Sequence, residues 1–215
     1  MKSILLPTYF PSIFFWKIIV ENNFLWMKKS YYKKQTLRNR TYIHGANGKL
    51  MLSIPIKHSG KNLRRYYEDI SIDSSSNWKK NHFKSIKFAY QSSPYFEFYE
   101  DDLMEFYRAN IHNLYKLNLN SVKLVLKWLE LDYLESTIDF NFEEYTNSLT
   151  IKKIDSKEIK NTSNVKYTQT FEEKNGFIDG LSILDMIFNC GPKTIDYIKA
   201  GLSAGFCHAL SSILV

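Results

Sequence analysis

The twenty-five residues from Ser3 to Met27, SILLPTYFPSIFFWKIIVENNFLWM, leave this chain few ways to fold. An apolar run closed by Pro7 and Pro11 predicts a buried strand that leaves into a rigid loop. The segment SIFFWKIIVENN is apolar on nearly every side of a helical projection, which predicts a largely enclosed helix. FLWM then reads as a second strand. A strand, loop, helix and strand in this order form a crossover between parallel strands, a Rossmann-like opening. It places loop residues 7 to 12 at the carboxyl end of a strand, where open α/β sheets bind ligands.

The next constraint is a turn. RTYIH and KLMLSIPI flank GANG, and Asn47-Gly48 predicts the hairpin turn because both residues tolerate positive φ. If the first strand reaches back to residue 38, alternation puts Arg38, Arg40, Tyr42 and His44 on one face, with Asn39, Thr41 and Ile43 on the other. The chain has 29 basic and 22 acidic residues, and much of that excess lies between Lys28 and Arg65. Three readings stay open for the stretch around the hairpin: solvated charge, a nucleic-acid patch, or one wall of a site for an anionic small molecule. Two arginines held side by side favour the last, since a planar guanidinium makes bidentate contacts with phosphate that lysine cannot reproduce.

Further along, YEDISID reads as a short strand, and Asn77 can cap a helix through WKKNHFKSIKFAYQ whose buried stripe is Trp78, His82, Ile86, Ala89 and Tyr90. Ser93-Pro94 suits the start of a helix with Tyr99, Leu103, Phe106 and Tyr107 inward. Asn118 or Asn120 can cap SVKLVLKWLELD. TIDFNF is strand-like, residues 146 to 164 read as a long exposed excursion, and KYTQTF is a further strand candidate. LSILDMIFN is a helix stopped at Gly191-Pro192, and KTIDYIKAGL predicts a last one. The expected organisation is one mixed α/β domain over residues 1–202, helical over about 77–132, followed by an apolar tail at 203–215.

Several chemistries are excluded. The chain has neither a Walker sequence nor GxGxxG nor GxSxG, and its five histidines are scattered without zinc-ligand spacing, so no cofactor or metal is expected. Cys190 and Cys207 have no metal-like spacing, the apolar start is too short for a signal peptide, and no apolar run reaches the roughly 18 residues that span a bilayer. A cytoplasmic protein is therefore expected. Asp185 and Asn189 share one face of an otherwise apolar helix, which is either its wet face or the lining of a cavity. Tyr167 and Gln169 alternate onto one face of their segment, and His82 reads as a satisfied core residue.

LLPTYFPSI, KKQTLRNRTYIHGANGKLMLSIPI, WKKNHFKSIKFAYQSSPYFEFYEDDL and YTQTFEEKNGFIDGLSILDMIFNCGP together resemble the WbqC-like family, in the form seen in Bacteroidetes, from about residue 4 to residue 198. Many members begin His-Gln-Pro-Asn-Tyr-Leu-Pro. Here Leu5-Leu6-Pro7-Thr8-Tyr9-Phe10-Pro11 keeps Pro7, Tyr9 and Pro11 but lacks the histidine and the asparagine. The resemblance also falls on Arg38, Asn39, Arg40, Asn47, Gly48, Trp78, Tyr90, Pro94, Tyr167, Gln169, Ser182, Asp185, Asn189 and Gly191.

The resemblance implies a part in the biosynthesis of O-antigen and other surface polysaccharides, and a glycine transferase role has been suggested for the family. The expectation is transfer of an acyl or aminoacyl group to an amino sugar carried on a nucleotide or lipid diphosphate. In that picture Arg38 and Arg40 hold the phosphates, Asn39 is a further substrate-binding residue, Tyr9 and Asn47 frame the loop mouth, Asp185 with Gln169 and Asn189 orients the acceptor, and Asp185 is the base. The alternative is a nucleotide- or glycan-binding accessory protein without catalysis. Nucleic-acid binding is the least favoured reading; it predicts affinity that falls steeply with salt.

Overall fold

The computed structural model describes residues 3–21, 24–27, 30–57, 65–131, 137–138, 152–153 and 165–201. The tail at 203–215, Cys207 and most of 146–164 lie outside them. Strand β1 (Ser3–Leu5) runs into helix α1 (Ile13–Val20) and then strand β2 (Phe24–Met27). β1 pairs with β2 in parallel, Ser3 opposite Phe24 and Leu5 opposite Trp26, as a crossover through α1 requires. The full sheet has the order β5-β2-β1-β6, all parallel, with β5 (Thr137–Ile138) and β6 (Lys152–Lys153) at its edges. Trp16 of α1 and Trp26 of β2 are both wholly enclosed, and Phe15 of α1 stacks on Trp26 at 6.0 Å between ring centres. Side chains of this kind stabilise a core by about 1.5–3 kcal/mol each.

The hairpin joins β3 (Arg40–Gly45) to β4 (Gly48–Ser53), with Gly45 opposite Gly48. Its turn is shifted by one residue from the expectation: Ala46 and Asn47 are the central pair, and Gly48 alone takes positive φ, at 98°. β3 starts at Arg40, so the expected sharing of one strand face by Arg38 and Arg40 is corrected. Arg38 precedes the ladder, where Asn118 Nδ2 donates to its carbonyl at 2.5 Å.

Helix α2 (Trp78–Tyr90) packs on β3 and on α3 (Phe96–Arg108), and α3 packs on α4 (Leu114–Trp128). The buried residues of α2 are the five of the expected stripe. Helix α3 starts at Phe96, after Ser93 and Pro94, because the Ser93 hydroxyl turns back to the Tyr90 carbonyl at 2.6 Å and closes the preceding turn. The cap of α4 is Asn113, which accepts from the Lys116 amide at 2.9 Å; Asn118 is enclosed in mid-helix. YEDISID is a short 3-10 turn at Tyr67–Asp69 followed by two isolated bridges, Ser71 to Asn113 and Ile56 to Ile72, and not a strand. Residues 165–169 run extended without a ladder, then enter α5 (Glu172–Asn175) and α6 (Ile183–Cys190). Residues 194–201 form a last helix.

Gly191 ends α6 at φ 56°, and a Cβ there would land inside the ring of Tyr95. Gly191→Ala combines left-handed strain with a clash against a packed aromatic. It is expected to lower stability by about 2–4 kcal/mol, measured by urea unfolding, with cooperative unfolding preserved.

Candidate functional site

The loop leaving β1 is pinned most heavily at one residue, Phe10. Phe10 has φ 39°, an uncommon conformation for an aromatic residue, and both its backbone groups are held. Its amide donates to Ser121 Oγ at 3.2 Å, and its carbonyl accepts from Thr41 Oγ1 and Ser182 Oγ, each at 3.0 Å. Pro11 and Tyr42 are tied to the start of α6 by bonds from the Ile183 amide at 2.9 Å and the Ser182 amide at 2.7 Å. Four elements thus meet at the amino end of α1: the loop, β3, α4 and α6.

A cavity of about 460 Å³ opens at this junction, within the range of small-molecule sites. Its lining includes Thr8 to Ser12, Gln35, Arg40, Tyr42, Lys49 and Ser182. Two side-chain cations, Arg40 and Lys49, line it, and no carboxylate does. Lys49 Nζ lies 4.6 Å from the centre of the Tyr42 ring, and loss of hydration lowers its pKa, with Asp179 pulling the other way. Gln35, which also lines the cavity, has positive φ, at 59°. Two of the three non-glycine residues with positive φ among those described therefore line one cavity, a concentration typical of functional sites.

Of the expected site residues, Tyr9 and Arg40 are brought together here. Tyr9 contributes its backbone region, because its hydroxyl points inward to His82 Nδ1 at 3.0 Å and to Tyr107. Burial drives the His82 pKa down to about 4, with the Ser53 backbone pulling it up, so this ring is neutral near pH 7.

Arg38 is 1% exposed and belongs to the interior. Its Nη1 donates to the Tyr31 carbonyl at 2.7 Å, and its guanidinium lies 5.3 Å from the centre of the Tyr67 ring. Asn39 closes the base of the hairpin, donating from Nδ2 to the Ile54 carbonyl at 3.2 Å. Asn47 stands exposed at the hairpin tip, where α5 docks through Lys174 Nζ to the Ala46 carbonyl at 2.8 Å. None of these three lines the cavity.

Asp185 is fully enclosed. Tyr90 donates to its Oδ1 at 2.7 Å and Tyr167 to its Oδ2 at 2.6 Å. A carboxylate held this way organises packing and does not reach an acceptor in the cavity. Gln169 and Asn189 face a different cleft, of about 600 Å³, with Ser93, Thr170 and Glu172. Their amides are already committed: Gln169 exchanges two bonds with the Ile178 backbone, each 2.8 Å, and Asn189 donates to the Asp185 carbonyl at 2.7 Å. The residues that sequence reasoning missed are Ser12, Gln35, Thr41, Lys49 and Ser182. Ser12 stood at the end of the loop, and Ser182, Thr41 and Lys49 lay within the stretches of the family resemblance, but none of these signals pointed to a cavity.

Among the described residues no group of three His, Cys, Asp or Glu side chains could hold a metal, and no helix is long and apolar enough to cross a membrane. A family model described as the WbqC-like protein family matches residues 7–154 and 146–197. No curated protein and no solved structure matches the chain.

Arg38→Ala removes an enclosed cation with its carbonyl and ring partners, and an expected loss of about 2–3 kcal/mol should appear in chemical denaturation. Asp185→Asn swaps one acceptor oxygen for a donor facing a tyrosine hydroxyl, which costs about 1–3 kcal/mol near pH 7. Burial raises the Asp185 pKa above its ordinary 3.8, with the bonds from Tyr167 and Tyr90 opposing. A carboxyl raised on folding adds stability as pH falls through its folded value toward 3.8, and loses it as pH rises. The stability gap between wild type and Asp185→Asn should therefore widen between pH 7 and pH 4, read from urea midpoints across that range.

Proposed function

The chain belongs to the WbqC-like protein family, a membership that suggests a role related to polysaccharide biosynthesis, and on that premise we propose that its cavity binds a phosphate-bearing sugar precursor. The observation that carries this reading is the lining: Arg40 and Lys49 with no carboxylate, at the carboxyl end of a parallel strand. The amino end of α1 adds to it. Ser12 caps that helix without a side-chain bond to it, so the positive end of the helix dipole lies at the cavity wall.

In the fuller form of the reading, the protein acts in the cytoplasm on an O-antigen-like surface polysaccharide, as an acyl or aminoacyl transferase such as a glycine transferase. The acceptor's amino nitrogen attacks the acyl carbonyl, the donor's leaving group departs with its electron pair, and the amine gives up one proton. That proton needs a base at the acceptor. The enclosed position of Asp185, with both oxygens accepting from tyrosines, withdraws the residue first considered for that task. This specific observation favours the second reading, in which the protein binds the sugar phosphate and a partner performs the chemistry.

Incubation with nucleotide-linked amino sugars and acyl or aminoacyl donors separates the two. A mass increment on the sugar supports the transferase, and a ligand-induced rise in melting temperature without product supports the accessory protein. In either case Arg40→Ala should weaken binding about tenfold or more while leaving the melting temperature of the free protein nearly unchanged. If no phosphorylated sugar binds the wild type, or Arg40→Ala binds as well as the wild type, the cavity is not the site.

A further inference from the structure

The two edges of the hairpin differ in what covers them. In an antiparallel ladder, alternate residues turn their amide and carbonyl toward the facing strand, and the residues between them turn theirs away. The Ile54 amide donates to the Asn39 carbonyl at 2.8 Å; in steps of two from that pair, Thr41 with Leu52 and Ile43 with Leu50 bond inside the ladder. Tyr42 and His44 of β3, and Lys49, Met51 and Ser53 of β4, therefore direct their backbone groups outward. On β3 that edge is taken, since the Tyr42 carbonyl accepts from the Ser182 amide at 2.7 Å and the His44 amide donates to the Tyr90 hydroxyl at 3.0 Å. At the far end of β4 the Ser53 backbone bonds to His82. Lys49 and Met51 are left with outward backbone groups that pair with no strand or bridge among the described residues.

The same stretch exposes apolar side chains on both faces. Leu50 is 40% exposed beside the enclosed Ile43, and Met51 is 45% exposed beside Tyr42 on the opposite face, which lines the cavity through Arg40, Tyr42 and Lys49. An edge that offers free backbone groups and apolar side chains is a template for another strand, and soluble proteins guard such edges with charges, proline or a bulge. β4 has neither proline nor bulge. Its one charge is Lys49, whose ammonium is turned back over the Tyr42 ring at 4.6 Å. A two-stranded sheet is marginal by itself and gains stability from added strands.

We infer that the occupant of this edge is β4 of a second copy of the chain, paired antiparallel about a two-fold axis at Leu50, so that both hairpins join one continuous sheet in the order β3-β4-β4-β3. The strand is self-complementary in that register. Lys49 of each copy falls opposite Met51 of the other, where both turn amide and carbonyl outward and can exchange a pair of backbone bonds. Leu50 meets Leu50 at the axis, in the closely spaced kind of pair, and extends the apolar row that Ile43 begins. A two-fold axis at Met51 would instead call on Ser53, whose backbone is engaged by His82. Charge agrees with the chosen register, since each Lys49 lies opposite a methionine and turns its ammonium toward its own hairpin. Because Lys49 lines the cavity, Met51 of the second copy is set beside the cavity wall, and assembly and ligand site adjoin. One strand pair is a small interface, so association should be weak, with Kd about 1–100 µM.

Analytical ultracentrifugation of the full chain from about 1 to 300 µM tests this, together with amide hydrogen exchange at the two ends of that range. The wild type is expected to pass from monomer to dimer, and the Lys49 and Met51 amides to become protected as it does. Leu50→Lys and Leu50→Glu each place like charges face to face on the axis and should weaken the dimer about tenfold or more while unfolding stays cooperative. An equal mixture of the two should dimerise again, because opposite charges then meet. Loss of apolar surface alone would not give that rescue. A wild type that stays monomeric throughout overturns the inference: protected amides would then mean that a segment of the same chain covers the edge, and freely exchanging ones that nothing does. A dimer that both charged variants form as well as the wild type, or variants that associate no better mixed than alone, also overturns it.

Discussion

A carboxylate cut off from water must find donors, and the enclosed Asp185 finds them in two tyrosines from distant parts of the chain. Tyr90 ends α2, Tyr167 lies on the extended segment before α5, and Asp185 sits in the first turn of α6. The network does not stop there. The His44 amide of β3 donates to the Tyr90 hydroxyl at 3.0 Å, and Gln169 Nε2 donates to the Tyr167 hydroxyl at 3.2 Å. Moving any one of these elements strands a buried polar group, so the set locks as a unit. Because Asp185 is three residues beyond Ser182, fixing the carboxylate also fixes the amino end of α6. From that end the Ser182 hydroxyl and amide hold Phe10 and Tyr42 at the cavity.

The strained loop depends on this lock. An aromatic residue at φ 39° is disfavoured by about 1–3 kcal/mol, and it persists only where its surroundings over-determine it. At Phe10 they do. One amide bond and two bonds to one carbonyl, at about 1 kcal/mol each, offset a strain of that size. The aromatic ring meanwhile packs on Tyr9 and Phe106 at 5.1 and 5.0 Å between centroids. The conformation turns the loop away from the path of β1 before α1 begins, which leaves space at the strand's end and presents α1's amino end to it.

What could be read from residues in a row was local and periodic. The β1, α1 and β2 crossover and the buried stripe of α2 follow from the spacing of apolar residues, and they stand as expected. The hairpin followed from glycine and asparagine between two alternating runs, but the turn's centre did not, since Gly48 can serve as the residue after the turn as readily as within it. Asn113, Asn118 and Asn120 are equally plausible caps in isolation. Enclosure of Asn118 against the Arg38 carbonyl and Tyr67 decides between them, and that is a tertiary fact. Tyr167 and Gln169 alternate as a strand would, yet their hydrogen bonds go to Asp185 and Ile178 and leave no ladder to join. Likewise, neither Phe10 nor Gln35 carries any mark in the sequence of its positive φ.

The basic stretch shows most clearly why charge along a chain is a poor guide to charge in space. Arg38 and Arg40 are two residues apart and chemically identical, but one lies under the Tyr67 ring as part of the interior and the other lines a cavity. The ladder's starting point separates them. Arg38 belongs to the turn before β3, where its carbonyl and guanidinium are both drawn inward, whereas Arg40 enters the strand and takes the orientation that β3 imposes. Lys174, which adds to the same net charge, is spent on the hairpin tip. An extended polyanion needs cations arrayed along a surface, and its affinity grows with the number it can neutralise. Arg40 and Lys49 instead share the wall of one concave cavity, the geometry that the proposed compact ligand requires and an extended polyanion does not.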